Sequence, residues 1–528
     1  MKHLIAMVAG SLALLSAVSC DFLETKVESN ITTNNFFKST KDFDMALTGI
    51  YYTFTSVEWD AQHRYGDYFT GFMYWGRIGT DECFVGTGNN GEEMIGFYTY
   101  TPEHLFVEKV WYMQYLGIQR ANVVIDRLNA YKGDNISDKD RSRILGEAHF
   151  LRGWFYFQLA RYYGEVPLVL DETTDISKLN TKKASLAEVY SQIIKDFQTA
   201  EELLPEVNTV GHAHKYAATA LMARAYLQMS GYPLQDKSAA ALAADACKRV
   251  IASGRFALVK DYFSQFDGKH EHNSEYIFDV EFDNTASSSL YGGQVGTVDG
   301  LPHVDQVYWT QVRAFPEMYK KFDPEDLRRE SINNGGHVVY NKSTGKAEIV
   351  YDKDYEGNYW VYKFRHPLDR SDRGSTWANW CNNINFPIIR YADVLLMLAE
   401  AENRANGAPS AQALEYVNQV RRRGFGKDIN TPDPAVDLPM SGGDAFGEVI
   451  LKERSLELCF EGHRWADLVR FGKLQEAYRS VGNDPEWLLT PAYQTLKENC
   501  KEKHSIFPIP QSVIDASNGA IEQNPIWK

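Results

Sequence analysis

Two glycine-rich stretches of the chain set aromatic rings beside amide, carboxylate and guanidinium groups. Residues 68–90, "YFTGFMYWGRIGTDECFVGTGNN", carry Tyr74, Trp75, Arg77, Asp81, Asn89 and Asn90. Residues 289–313, "SLYGGQVGTVDGLPHVDQVYWTQVR", carry Tyr291, Tyr308 and Trp309. The chemistry these types suit is noncovalent. A flat ring covers the C–H face of a pyranose, while Asn, Asp, Arg or a tyrosine hydroxyl bonds the hydroxyls at its edge. Core packing is the competing reading for each aromatic. The glycine-rich context favours loops, which run over the surface.

Signatures of covalent chemistry are missing. The chain has no GxSxG elbow, no HExxH, no P-loop and no GxGxxG. His212-Ala-His214 and His270-Glu-His272 are the close histidine pairs, and neither has an evident third ligand, so no metal or other cofactor is expected. Glu461, Arg464, Asp467 and Arg470 follow one another at intervals of three, the spacing at which opposite charges attract along a helix face. They read as a structural ion network rather than a catalytic dyad. Among 70 acidic residues a glycosidase-like pair is always available, but nothing singles one out.

Something must carry these loops, and the first clue is the N-terminus. Lys2 and His3 precede an apolar run, Leu4 to Val18, that stops at Ser19-Cys20 with Asp21 and Glu24 behind it. A positive start, a short apolar stretch and small residues at its end describe a secretory signal. Its end looks like a bacterial lipobox, with residues 1–19 removed and Cys20 acylated. Several acyl chains give stable membrane anchoring where one does not. A plain signal with an incidental cysteine is the alternative. The net charge of −15 gives no basic footprint for nucleic acid. The remaining cysteines, Cys83, Cys247, Cys381, Cys459 and Cys500, are odd in number and widely spaced, and read as buried free thiols.

The elements that position the loops are helices. "DKDRSRILGEAHFLRGWFYFQLARYY" runs at helical spacing from 138 to 163 and stops at Gly164. Ser185 and Glu188 form a capping-box pattern at the head of "SLAEVYSQIIKDFQTAEELL". Residues 214–230 are alanine-rich and stop at Gly231. "KSAAALAADACKRVIAS" stops at Gly254, "YADVLLMLAEAENRAN" at Gly407, and "SAQALEYVNQVRRR" follows. Gly164 and Gly231 lie 67 residues apart, close to twice the period of about 34 residues of tetratricopeptide repeats. The expected fold is mainly α: four tetratricopeptide-like helix pairs in a short solenoid. Residues 54–105 and 265–385 break the pattern. There "EYIFDVEF" and "NYWVYKF" read as short strands.

In sum of motifs the chain resembles the SusD/RagB family, surface lipoproteins of Bacteroidetes glycan-uptake systems. "NNFFKSTKDFDMALTGIYYTF" resembles its first helix, and "EAHFLRGWFYFQLARYYGEVPLV" its most recognisable motif. "YAATALMARAYLQMSG", "FDPEDLRRE", "FPIIRYADVLLMLAEAENRANG" and "ERSLELCFEGHRWADLVRFGK" resemble further motifs in order, and "FPIPQSVIDASNGAIEQNP" the C-terminal signature. The resemblance implies one SusD-like domain over 20–528. Its helical scaffold would span about 30–260 and 385–475, with an irregular ligand face from about 54–105 and 265–385. It implies a lipid-anchored protein on the cell surface of the outer membrane, which captures oligosaccharides and delivers them to a SusC-like TonB-dependent transporter, and is not an enzyme.

Thr80-Asp81-Glu82-Cys83 resembles the motif just before the glycan loop of starch-binding members. Those members continue with tryptophans and then an Asn. Here Phe84-Val85-Gly86-Thr87-Gly88-Asn89-Asn90 lacks the tryptophans and keeps Asn90. Tyr291 and Trp309 match family aromatic positions in the ligand site. The resemblance therefore implies a glycan other than starch. A helical glycoside hydrolase and a repeat scaffold that binds only protein are the other functions the sequence leaves open.

Overall fold

The computed structural model describes residues 36–54, 75–85, 90–174, 182–282, 300–302, 312–365 and 383–528, apart from positions 342, 345, 486 and 488. Nine longer helices form the scaffold: α1 Thr40–Tyr51, α2 Leu105–Ala130, α3 Asp138–Tyr163, α4 Leu186–Leu203, α5 Lys215–Ser230, α6 Lys237–Ala252, α7 Tyr391–Asn406, α8 Ala411–Gly424 and α9 Gly443–Glu457. From α2 onward each packs on its chain neighbour, α7 follows directly on α6, and α7 also receives α9. The result is four helix pairs stacked in sequence order, with α1 laid across α2 and α3.

Local chemistry sets the helix ends. Ser185 and Glu188 close a reciprocal capping box at the start of α4, and Ser39 with Asp42 does the same for α1. α7 ends at Gly407 in the left-handed region, φ 84°, which glycine adopts without a Cβ penalty. Close pairing relies on small side chains. Ala217, Ala218, Ala220, Ala223 and Ala225 of α5 are fully buried. At Gly117 of α2 a Cβ would come within 2.3 Å of the Phe155 ring, so α2 and α3 approach closely only with glycine there. Two helices have no counterpart among those the sequence marks out. α2 is capped by His104, a residue that gives no capping signal, and α9 opens after Gly442 without a side-chain cap.

Strands fill the interruptions: β1 Cys83–Val85, β2 Tyr276–Val280, β3 Val312–Ala314, β4 Ile332–Asn334, β5 Gly336–Asn341, β6 Lys346–Tyr351, β7 Tyr359–Val361 and β8 Phe386–Arg390. The expected strands in "EYIFDVEF" and "NYWVYKF" are β2 and β7. Among the described residues the sheets run β1-β3-β7-β4, β2-β8 and β5-β6, every named pairing being antiparallel.

A buried ion lattice fastens these strands to the helices. Arg390, at the end of β8, donates to Glu275, Glu457 and Glu461. Arg423 of α8 donates to Glu275 and Glu457, and Lys363, just after β7, to Glu461. Arg328, from "FDPEDLRRE", donates to Asp326, Glu453 and Glu457. Each charge is desolvated, and dense pairing offsets that penalty. The charges at 461, 464, 467 and 470 are thus structural, but they do not act along one helix face. Asp467–Arg470 is an i, i+3 pair in the short helix α10, Arg464–Arg470, whereas Glu461 and Arg464 reach to Arg390 and Asp81.

Candidate functional site

The strands β1 and β3 bring the two candidate binding stretches together. Cys83 pairs with Ala314, Phe84 with Arg313 and Val85 with Val312. Residues 86–89 continue from Val85, and residues 303–311 lead into Val312. Two segments separated by more than 200 positions therefore share one root. Asn89 follows Val85 by four positions, and Trp309 precedes Val312 by three. Asn89, Tyr291, Tyr308 and Trp309 themselves lie outside the described residues, as do Tyr74 and Cys20. Asn90 opens a short helix, Asn90–Gly96, at the far end of the first loop.

Three predicted contact residues sit beneath this root rather than on it. Trp75 is 1% exposed and stacks on Phe507 with ring centroids 3.9 Å apart. Arg77 is fully buried, and its Nη1 donates to the Phe460 carbonyl. Asp81 is buried between Arg464 and Lys321, accepting at 2.6 and 2.8 Å from Arg464 and at 2.8 Å from Lys321. Burial excludes all three from touching a sugar. Their flanking glycines serve close packing instead: a Cβ at Gly76 would stand 2.2 Å from the Gly462 carbonyl oxygen.

Their electrostatics fit an anchoring role. Burial alone would raise the Asp81 carboxyl, but Arg464 and Lys321 outweigh it and hold it well below the usual range. Glu82 next to it is pushed up to about 7 by burial, which Arg464 and the Phe460 N–H only partly counter. The Glu82 carbonyl accepts from Phe315 N–H and extends the β1–β3 pairing by a step.

Aromatic side chains buttress the root. Phe84, Phe315, Trp487 and Tyr493 form a compact cluster, with Phe84 5.1 Å from each of the other three rings. Arg313 of β3 lies 4.6 Å from the centroid of Trp360 on β7 and donates to Asn358 Oδ1. Arg313 closes the second quoted stretch, directly after "YWTQV", yet a one-dimensional pattern gives it no partner. Trp360 stands 47 positions on.

A family model described as the SusD family matches residues 260–527, and one described as "Starch-binding associating with outer membrane" matches residues 21–227. The chain belongs to the SusD family. Among curated relatives, SusD-like protein P2 of Formosa agariphila is 26% identical over 505 residues, covering 90% of this chain and 92% of the relative. SusD-like protein P38 of the same organism is 28% identical over 488 residues, 87% of this chain and 89% of the relative. Among solved structures, a SusD homolog from Bacteroides thetaiotaomicron superposes with a TM-score of 0.80 at 27% identity, covering 94% of this chain and 99% of that one. A laminarin-binding SusD-like protein shares the fold, with a TM-score of 0.70 at 24% identity over 92% of this chain and 99% of that one.

The histidine pairs of this SusD-family protein have structural partners. His212 Nδ1 lies 2.6 Å from Glu147, and His214 caps α5, accepting from Ala217 N–H while its Nε2 meets the Ile277 carbonyl. His270 bonds Asp267. His272 gains a neighbourhood the sequence did not suggest: its ring and the carboxyls of Asp279 and Glu281 have ligand atoms within 4.8 Å of one another. Burial and the Glu281 carboxyl push Asp279 well up, and Asn385 donates to Asp279. Cys83, Cys247, Cys459 and Cys500 are buried free thiols, as expected, and Cys381 lies outside the described residues. Among the described residues no helix is long and apolar enough to cross a membrane.

Proposed function

We propose that this SusD-family protein is a glycan-binding surface lipoprotein that captures oligosaccharide on the loops rooted at β1 and β3. One observation carries the reading. The Val85–Val312 pairing joins the roots of the two stretches: Asn89 follows Val85 by four positions and Trp309 precedes Val312 by three. Trp309 supplies the stacking platform, Tyr291 a second wall or edge hydrogen bond, and Asn90 a polar contact to a hydroxyl, with Asn89 and Tyr308 at the rim. Trp75, Arg77 and Asp81 are buried and pack the segment that leads into β1.

Known relatives support the ligand class. One solved structure of the same fold is described as laminarin binding, and another, a surface glycan-binding protein A from Bacteroides thetaiotaomicron, as a complex with laminarihexaose. The loop after Thr80-Asp81-Glu82-Cys83 lacks the tryptophans of starch-binding members, so the preferred glycan is not starch. The protein binds without turning its ligand over. It is held at the outer membrane by lipid on Cys20 and passes its ligand to a SusC-like TonB-dependent transporter.

Isothermal titration against maltooligosaccharides, laminarioligosaccharides and other glycans tests the proposal, with product analysis of each mixture afterwards. Saturable binding of at least one non-starch glycan without new products is expected. Hydrolysis products would favour a glycosidase, and silence across a broad panel would favour a protein-binding scaffold.

A further inference from the structure

A cavity of about 340 Å³ opens between the C-terminal end of α3, the start of α4, the turn after α5 and the C-terminal segment of the chain. None of the glycan-loop residues lines it. Arg161 of α3 does, and it is 7% exposed.

Arg161 differs from most buried arginines of this protein. Among the described residues, most buried arginines are met by carboxylates, as Arg152 is by Asp196, Arg224 by Asp393 and Arg464 by Asp81. Arg161 has no carboxylate within ion-pairing distance among the described residues. Its guanidinium lies 5.3 and 5.7 Å from the Phe157 and Tyr162 ring centroids, and Nη1 reaches Gln158 Oε1 only at 3.5 Å. Among the described residues its buried Nε finds no acceptor, and neither does Gln158 Nε2. Tyr190 also lines the cavity. A desolvated cation without a counter-ion is costly, so an anion bound beside Arg161 would be stabilised.

The walls say which anion. Leu186, Leu234, Ile506 and Ile526 line the cavity beside Arg161 and Tyr190. One guanidinium neutralises a single negative charge, and Glu165, which also lines the cavity, opposes a second. Apolar walls suit a hydrocarbon body better than a hydroxylated ring, whose edges need several polar partners. We propose that this cavity is a second ligand site, for a small organic carboxylate with an apolar body, anchored on Arg161 and Tyr190.

Hexanoate and its neutral isostere hexanamide test this on the full-length protein, by isothermal titration and thermal melting. Hexanoate should bind saturably and raise the melting temperature, and hexanamide should bind at least tenfold more weakly. Arg161→Met should abolish hexanoate binding and leave the unliganded melting temperature unchanged or higher, because an unpaired buried charge is gone. Tyr190→Phe should weaken hexanoate about tenfold, the loss of one hydrogen bond to a charged group. Glycan titrations should be the same for all three proteins. Absence of hexanoate binding at millimolar concentration overturns the proposal, as does equal binding of the amide, or unchanged affinity in either variant. If Arg161→Met fails to fold, the amide contrast and Tyr190→Phe decide.

Discussion

Asp81 and Arg464 stand 383 positions apart in the chain and form a buried bidentate pair, with Nε to Oδ1 at 2.6 Å and Nη2 to Oδ2 at 2.8 Å. Lys321, at the end of the short helix that follows β3, joins the same carboxylate. One side chain thus ties the segment leading into β1, the short helix after β3 and helix α10. Asp81→Asn leaves two buried cations under-compensated. It should cost about 3–5 kcal/mol, read as a large fall in melting temperature. A sugar-contacting Asp81 would instead give a variant that melts normally and has lost its glycan.

This pair also marks the limit of what the sequence discloses. The scaffold is legible because its signals are local: Ser185 with Glu188 opens α4, Gly407 ends α7, and the alanines of α5 recur on its buried surface. Family motifs supply the order of elements. The site is less legible because its construction is long-range. Trp75 and Trp309 both sit near glycines in aromatic stretches, yet the partners that bury Trp75, Phe507 and Tyr162, come from distant segments. Nor does local periodicity reveal that Val85 faces Val312, since strands of three residues have almost no pattern to show.

Stability should fall on mild acidification because the protein buries neutral histidines. Burial lowers His104 and His214 to about 4, and His463 and His504 to about 3. In the unfolded chain histidine titrates near 6.5. These groups therefore add stability above about pH 6.5 that is lost as pH falls toward their folded values. His104 and His214 each cap a helix by accepting a backbone N–H at Nδ1, which the protonated ring cannot do. Replacing both with Asn keeps a capping acceptor and removes the titration. The double variant should show a markedly flatter unfolding free energy between pH 6.5 and 4, by up to about 3 kcal/mol per site. Equal slopes for variant and wild type would remove these two histidines from the account.

Glu82 acts with the opposite sign. Its carboxyl, raised by burial to about 7, holds its proton while the unfolded chain loses one. Its favourable contribution is complete below about pH 4.5 and is lost as pH rises through about 7. Glu82→Gln keeps an acceptor for Phe460 N–H, so the variant should be the more stable protein at pH 8 by about 1–3 kcal/mol, with the difference shrinking toward pH 5. Denaturant titrations at the two pH values measure it. A variant less stable at pH 8 would mean that the charged form is needed.

Membrane attachment rests on Cys20. Cys20→Ser should release the protein from membranes and abolish incorporation of a labelled fatty acid in cells. A variant that stays membrane-bound, beside a wild type that takes up no label, would end the lipoprotein reading.

The binding face is tested most sharply at Trp309. Its place three positions before Val312 puts it close to the shared root of both loops, and its type suits a stacking platform. Trp is enriched among residues whose truncation costs ~2 kcal/mol or more, so Trp309→Ala should weaken glycan binding at least tenfold. A core tryptophan behaves otherwise: its truncation costs about 3–5 kcal/mol of stability. Trp75 provides the internal control, because it is buried and stacked on Phe507. Melting and glycan titration on both variants therefore make one experiment. Trp75→Ala should melt much earlier, and Trp309→Ala should melt near the wild-type temperature while losing its ligand. If Trp309→Ala keeps its affinity, the platform lies elsewhere on the face. If it melts as early as Trp75→Ala, Trp309 belongs with the buttress under the loops.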